Sequence, residues 1–226
     1  MKKCNSQRIR DLVLALIALL ITSPVLILTT LILKFTGERE VFFTQDRVGF
    51  QKKPIQILKF VTMLKDSPNI GTGTITLKDD PRVLPVGKFL RKAKINELPQ
   101  LINIIRGDLS LIGPRPQTIR CFNSFPLNAQ KEISKVKPGL SGIGSIFFRD
   151  EEEMMGSEVD PDLFYNEVIM RYKGDLEIWY VKKCSLVVDI ILIFLTAWVV
   201  LGGDAKLAFR LFSHLPPIPD KLKRYF

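Results

Sequence analysis

Histidine is nearly absent from this chain: the single one, His214, stands close to the C-terminus. A catalytic histidine or a histidine-held metal is therefore a poor starting point, and chemistry has to rest on carboxylates, arginine and lysine, with Mg²⁺ as the fitting metal. Cysteine is scarce as well. Cys4, Cys121 and Cys184 are odd in number and lack paired spacing, which excludes a disulfide framework and a zinc site and fits a reducing compartment. There is no internal repeat and no low-complexity tract. Acidic residues are outnumbered 23 to 33, leaving a net charge of +10 and a pI near 9.6. Such an excess calls for an anionic partner, either phosphates on a ligand or an acidic membrane surface. Without a helix-turn-helix, a zinc finger or an aromatic RNA-binding strand, nucleic acid is not that partner.

What the chain does have is an uncharged stretch from Leu12 to Leu33, broken midway by Ser23-Pro24. About 20 apolar residues suffice to cross a bilayer. Pro24 removes a backbone donor and clashes with the preceding turn, and Ser23 can bond the groups that the break frees. Lys2, Lys3, Arg8 and Arg10 precede the stretch, and Lys34, Arg39, Arg47, Lys52 and Lys53 follow it. With positive charge on both flanks, the Lys/Arg asymmetry that orients a span is missing. The reading favoured is a re-entrant helix-break-helix with both ends cytoplasmic; a straight span or uncleaved signal anchor is the alternative. The absence of a small-x-small site argues against a cleaved signal peptide. A second apolar run, Ser185 to Leu201, is short for a span and carries Asp189. It reads as a helix packed on the domain or lying in the interface. Phe209, Phe212, Tyr225 and Phe226, interleaved with lysines and arginines, read as an interfacial tail or a frayed one.

The expected fold is α+β and helix-dominated, a monotopic membrane protein with a cytoplasmic catalytic domain. Residues 1–36 form the membrane element, 37–183 the catalytic domain, and 184–226 the apolar helix and basic-aromatic tail. Short strands are expected at Val41–Gln45 and Ile55–Phe60, a loop from Asn69 to Thr76, and a turn over Lys78–Arg82. Helices are expected near Val86–Lys92 and from Glu97 to a stop at Gly107. Pro114-Arg115-Pro116 should be extended. Lys137–Ser145 reads as a glycine-built loop, and Asp160-Pro161 as the start of a helix carrying Tyr165, Ile169 and Tyr172.

Chemistry-bearing residues are densest in Arg91–Gln100 and Gly107–Pro116. Asn96 sits where a helix N-cap belongs, with Glu97 in the first turn, which by itself is ordinary helix punctuation. The same geometry suits a phosphate at free helix amides, with Mg²⁺ held between the Glu97 carboxylate and a pyrophosphate. Arg115, locked between prolines, is positioned at low entropic cost for bidentate phosphate binding, and Arg91 and Lys94 add charge nearby. Lys59, Arg82 and Arg47 are further candidates for the donor phosphates, each equally readable as a structural or solvated charge. Asp108 reads as a cap of the Ser110 turn. Asp150–Glu153 reads as a solvated helix start, or as a selector for an amino sugar. A basic pocket with one carboxylate beside a membrane-dipping helix points to phosphoryl transfer to a lipid acceptor.

The ordered motifs Phe43-x-Gln45-x-Arg47-x-Gly49, Lys59-Phe60-x-Thr62-Met63, Asp80-Pro81-Arg82, Glu97-Leu-Pro-Gln100, Gly107-Asp108-x-Ser110, Gly113-Pro-Arg-Pro116 and Lys137-Pro-Gly139 resemble the bacterial sugar transferases, the monotopic phosphoglycosyl transferases. The resemblance runs from the membrane segment to about Leu201 and fits the small members. It implies transfer of a sugar-1-phosphate from a UDP-sugar to polyprenol (undecaprenyl) phosphate with release of UMP and with Mg²⁺. The setting it implies is the cytoplasmic face of the bacterial inner membrane, in the first membrane step of a surface glycan such as a capsule or lipopolysaccharide. In the family an Asp-Glu pair carries the chemistry through a covalent phosphosugar intermediate. Here the Asp position is Asn96, Glu97 matches the second member, and Val61 stands where the family has Arg. Three readings follow: an active enzyme that uses Glu97 as nucleophile or transfers directly, an impaired homologue that binds UDP-sugar or lipid and partners an active enzyme, and a membrane-associated scaffold without either role.

Overall fold

A computed structural model describes residues 2–70, 80–156 and 160–226, the side chains of residues 2–6 and 68 excepted. The expected Asn69–Thr76 loop beyond Ile70, the Lys78-Asp79 start of the next turn, and the Cys4 side chain thus lie outside the described residues. Two compact units emerge, Met1–Arg47 with Ile55–Leu109, and Val48–Pro54 with Ser110–Phe226.

The first unit begins with α1, Lys2–Phe35, a helix of 34 residues with Pro24 inside it. The expected pair of helices is thus one helical run. Its accommodation of proline has a local cause. Pro24 has no N–H for the Leu20 carbonyl, and Ser23 Oγ donates to that same carbonyl at 2.8 Å. Thr22 Oγ1 bonds the Ala18 oxygen one turn earlier in the same way. Gln7–Phe35 is long and apolar enough to cross a membrane. Leu20, Ile21, Ile27, Leu28 and Phe35 are exposed, whereas Leu33 is buried with Phe60 and Leu90, against Leu26, Val41, Val86 and Ile95. One end of α1 is therefore part of a protein core, and much of the rest presents bare hydrocarbon.

β1, Phe42–Val48, pairs with β2, Pro54–Phe60. α2, Pro85–Lys92, and α3, Gln100–Arg106, follow, and α3 stops at Gly107 with φ 95° as expected. α2 lies directly on the chain after β2: a Cβ on Gly87 would stand 2.1 Å from the Thr62 oxygen. Asn103 binds β2 to α3, accepting the Leu58 N–H at 2.9 Å and donating to the Gln56 carbonyl at 2.7 Å. Arg8 of α1 donates to the Ile104 and Ile105 carbonyls at the α3 C-terminus.

In the second unit, the connection between β1 and β2 is a tight turn with Gln51 at φ 54° and Lys52 at φ 61°. Lys53 N–H closes it on the Phe50 carbonyl at 3.1 Å. Two consecutive left-handed residues make a primed hairpin turn, for which Asn-Gly is the favoured pair. The strain is held by Gln51 N–H on the Ser134 carbonyl, at 2.9 Å, and by Lys52 over the Phe122 ring.

β3, Ser110–Ile112, pairs in parallel with β4, Gly139–Ser141. β4 stands where a glycine loop was expected. These glycines serve backbone approach, since a Cβ on Gly139 would meet the Gly113 nitrogen at 2.1 Å. α4, Ile119–Asn123, and α5, Leu127–Ile133, lie between the two strands. After β4 come α6, Ile143–Phe147, α7, Glu151–Gly156, and α8, Pro161–Phe164, which Asp160 caps by accepting the Leu163 N–H. A π-helical turn, Tyr165–Ile169, leads into α9, Met170–Lys183. α10, Leu186–Val200, and α11, Leu207–Leu211, complete the order.

α10 answers the question posed by its charge. Asp189 is buried and takes the Tyr180 hydroxyl at 2.8 Å, while Leu192, Leu195 and Val199 pack inward. Leu186, Val187, Ile190, Phe194 and Trp198 remain exposed. The tail aromatics turn inward: Phe209 and Phe226 meet Phe147, Phe212 meets Trp179, and the Tyr225 hydroxyl reaches the Met154 carbonyl. Glu151, expected as part of a solvated run, instead pairs at 2.8 Å with Lys173, which is 2 % exposed.

Glu177, one turn beyond Lys173, is also enclosed at 1 % exposure. Its carboxylate accepts the backbone N–H groups of Arg115 and Gly144, and Oε2 is buried with no partner. Burial outweighs Lys173 and the two amides and pushes this carboxyl up to about 7.

Two outcomes are expected. Replacing Gln51-Lys52 by Asn-Gly relieves two left-handed side chains and gains about 1 kcal/mol after the loss of a cation–π contact. Thermal unfolding in detergent checks this, and a lower melting temperature contradicts it. Because the folded pKa of Glu177 lies above the unfolded one, its contribution is fully present below pH 4.5 and is lost as pH rises through about 7. Glu177→Gln should therefore stabilise at pH 8 by about 2–3 kcal/mol more than at pH 5. An equal shift at both pH values contradicts this.

Candidate functional site

The segment joining α2 to α3 carries the chemistry-bearing residues. α2 ends at Ala93, and Lys94 takes φ 57°, a left-handed conformation rare for a side-chain-bearing residue. A 3₁₀ turn, Ile95–Glu97, follows, and α3 starts only after Pro99. Asn96 is thus inside a turn and does not cap α3, contrary to expectation. The cause is Pro99, which has no N–H for the Ile95 carbonyl. Leu98 N–H takes that carbonyl at 3.1 Å and tightens the turn.

This displacement gives Asn96 its unusual surroundings. It is 7 % exposed, and its Oδ1 is buried with no hydrogen-bond partner. Gln100, at the start of α3 and 2 % exposed, has a buried Nε2 in the same condition. Orphaned buried polar atoms cost about 1–3 kcal/mol each, so two in one motif make this turn a candidate site. Glu97 is half-buried beside them. A hard oxygen from Asn96 and a carboxylate from Glu97 fit Mg²⁺, which takes one or two protein oxygens and completes its shell with water and phosphate. Among the described residues no group of three His, Cys, Asp or Glu forms a metal cage.

The other predicted residues divide. Arg91 on α2 is half-buried, its Nη1 3.9 Å from Met63 Sδ. Lys59 lies on β2, next to the Leu58 amide that Asn103 binds, so its place relative to α3 is set by that bond. Arg82 has another occupation. It is 4 % exposed, holds Asp80 through Nε at 2.9 Å and Nη2 at 2.5 Å, and gives Nη1 to the Ser67 and Ile70 carbonyls. Its ion pair keeps the guanidinium charged and ties residues 67–70 to 80–82. Arg47 bonds Gln45 Oε1 at 2.6 Å. Asp108 receives Asn103 Nδ2 at 3.3 Å, so it steadies Asn103 as well as the chain after Gly107. Val61, where the resemblance expects Arg, is buried and gives its N–H to Val41.

Arg115 belongs to the second unit, in the non-helical segment after β3, as expected from its two prolines. A cavity of about 560 Å³ in that unit, lined by Phe50, Lys52, Leu127 and Lys131 among others, includes none of the predicted site residues. Sequence reasoning missed Arg8, Asn103 and Glu177. Asn103 had a readable signal, a lone amide within the apolar run Leu101–Ile105. Glu177 looked like any helical glutamate.

The model of the bacterial sugar transferase family matches residues 2–203. Over 195 residues the chain is 35 % identical to the UDP-glucose:undecaprenyl-phosphate glucose-1-phosphate transferase of Escherichia coli (strain K12), covering 85 % of this chain and 39 % of that protein. The UDP-N-acetylgalactosamine-undecaprenyl-phosphate N-acetylgalactosaminephosphotransferase of Aeromonas hydrophila is 33 % identical, over 85 % of this chain and 43 % of its own length. The chain thus spans less than half the length of these two relatives. The uncharacterized sugar transferase EpsL of Bacillus subtilis (strain 168) is 33 % identical over 88 % of both chains. A family match over nearly the whole length, together with a relative of the same size, makes this chain a member of the bacterial sugar transferase family.

Proposed function

We propose that the protein is a phosphoglycosyl transferase, which moves a sugar-1-phosphate from a UDP-sugar to a polyprenol phosphate and releases UMP. The observation that carries the reading is the Asn96-Glu97 turn: an unpartnered buried amide oxygen beside a carboxylate, within a unit that includes a long apolar helix. Two of the relatives are named for the same transfer to undecaprenyl phosphate. α1 enters the inner membrane from the cytoplasm, bends at Ser23-Pro24 and returns, so that the site faces the soluble donor. Arg91 and Lys59 are the first unit's ligands for phosphate, and Arg115 is the phosphate ligand of the second unit.

In the reaction a bond forms to the phosphorus that bears the sugar, the bridging oxygen of the diphosphate leaves with its electron pair, and UMP departs. Asn96 is a poor nucleophile because its nitrogen lone pair is delocalised into the amide. That leaves Glu97 as the carboxylate of the pair. It attacks that phosphorus to form a mixed anhydride, from which the lipid phosphate then displaces the Glu97 carboxylate, or it would hold Mg²⁺ while the lipid phosphate attacks the phosphorus directly. Bound Mg²⁺ would neutralise charge developing on the diphosphate oxygens. Asn96 supplies a neutral oxygen there, which lowers the negative charge of the protein face toward the phosphates.

Purified protein with undecaprenyl phosphate, Mg²⁺ and a panel of UDP-sugars is expected to release UMP. Glu97→Ala should lower the rate by about 10³-fold or more. Asn96→Asp should raise turnover or trap a phosphosugar adduct visible by intact-protein mass. Saturable donor binding without turnover for any sugar contradicts the proposal and favours a binding homologue.

A further inference from the structure

Pro114 and Pro116 fix the backbone around Arg115 and also strip it of amide protons. Between Gly113 and Gln117 the Arg115 N–H is the sole backbone donor, and it goes to the buried Glu177 carboxylate. The flanking chain is pinned on every side. Gly113 N–H bonds the Ser141 carbonyl at 2.9 Å, the Pro114 carbonyl takes the Gly139 N–H at 2.9 Å, and the Gln117 carbonyl takes the Val48 N–H at 2.8 Å. Just before it, the Ile112 carbonyl lies 3.2 Å from the Tyr180 hydroxyl. Tyr180 and Glu177 share the buried face of α9, so one helix grips the four-residue stretch from Ile112 to Arg115 at both ends.

The fit around Glu177 is specific. A Cβ on residue 144 would stand 2.4 Å from Glu177 Oε1, so glycine there leaves room for the carboxylate and gives it a second N–H. Lys173, paired with Glu151 at 2.8 Å, provides the counter-charge. An aspartate would lack the reach, and an apolar side chain would orphan two amides.

We propose that Glu177 is a positioning residue for donor binding: through the Arg115 amide it sets where the Arg115 guanidinium meets the donor's phosphates. The inference rests on Arg115 being a phosphate ligand of the proposed transferase. Its test is a double-mutant cycle on the full-length protein in detergent, reading the KM for the UDP-sugar and the Kd for UDP by calorimetry, with thermal unfolding as a control. Glu177→Gln keeps the accepting oxygen and should stay within about twofold of the parent. Glu177→Leu should raise KM and the UDP Kd about tenfold with a smaller change in kcat. Added to Arg115→Ala, it should raise them no further. If Glu177→Leu does not fold, Gly144→Ala, which displaces the same carboxylate, takes its place with the same expectation. Equal effects with and without Arg115, or a Gln variant as impaired as Leu, would overturn the proposal. UDP binding that obeys the cycle without turnover of any UDP-sugar would leave this inference standing and reject the transfer reaction.

Discussion

The grip of Arg8 on the C-terminus of α3 is the interaction on which the rest of the first unit depends. A helix ends with carbonyls that have no intrahelical partner and with the negative pole of its dipole. The Arg8 guanidinium bonds two of these carbonyls, Ile104 and Ile105, and lies 3.5 Å from the position a Cβ would take on Gly107. A cation so placed is worth about 0.3–1 kcal/mol at an exposed site and more where partly buried. Its consequence exceeds its energy. α1 is long and apolar enough to cross a membrane, and α3 begins just after the turn that carries Asn96 and Glu97. A rigid element two turns long thus connects the apolar helix to the turn that carries the Glu97 carboxylate. Asn103, from the middle of the same α3, extends the connection to β2 and hence to Lys59.

The second unit solves a different problem, which is to hold an arginine in a segment with almost no amide donors. Glycine is the device. Gly113, Gly139, Gly142 and Gly144 bring backbone to backbone, or backbone to carboxylate, at distances that no Cβ allows. The polar stripe of α9, Lys173, Glu177 and Tyr180, then occupies what would otherwise be a hydrocarbon core. Aromatic side chains of the C-terminal tail close over the adjoining region around Phe147 and Tyr172.

Much of this arrangement was legible in the residues, and the misreadings have physical causes. Punctuation was read well: Gly107 as a stop, Asp160-Pro161 as a start, Ser23 as the donor that makes Pro24 tolerable. These are local events, decided within one turn of helix. Asn96 was misplaced because a proline three residues on shifts the start of α3, and a cap assignment is sensitive to a single residue. The glycines from Gly139 to Gly144 were read as a loop because close backbone approach and turn flexibility have the same sequence signature. Arg82 reads equally as a phosphate ligand or a structural charge, and in the structure it pairs with Asp80, two residues away. Arg8 was weighed as a topological charge. Its actual partner is 96 positions distant, a separation that no local pattern reveals.

A site that joins a soluble nucleotide donor to a lipid phosphate works only if the globular part stays on the side where the donor is made. The proposed function therefore requires α1 to enter and leave the bilayer on the same face, with Ser23-Pro24 as the bend. The direct measurement uses a Cys121→Ser, Cys184→Ser background that retains Cys4 and bears a second cysteine at Glu38. A membrane-impermeant thiol reagent is applied to intact spheroplasts and to inverted membrane vesicles. The account predicts that both positions react in inverted vesicles and that neither reacts in spheroplasts. Reaction of one position from each side would show that α1 traverses the bilayer, and would contradict it.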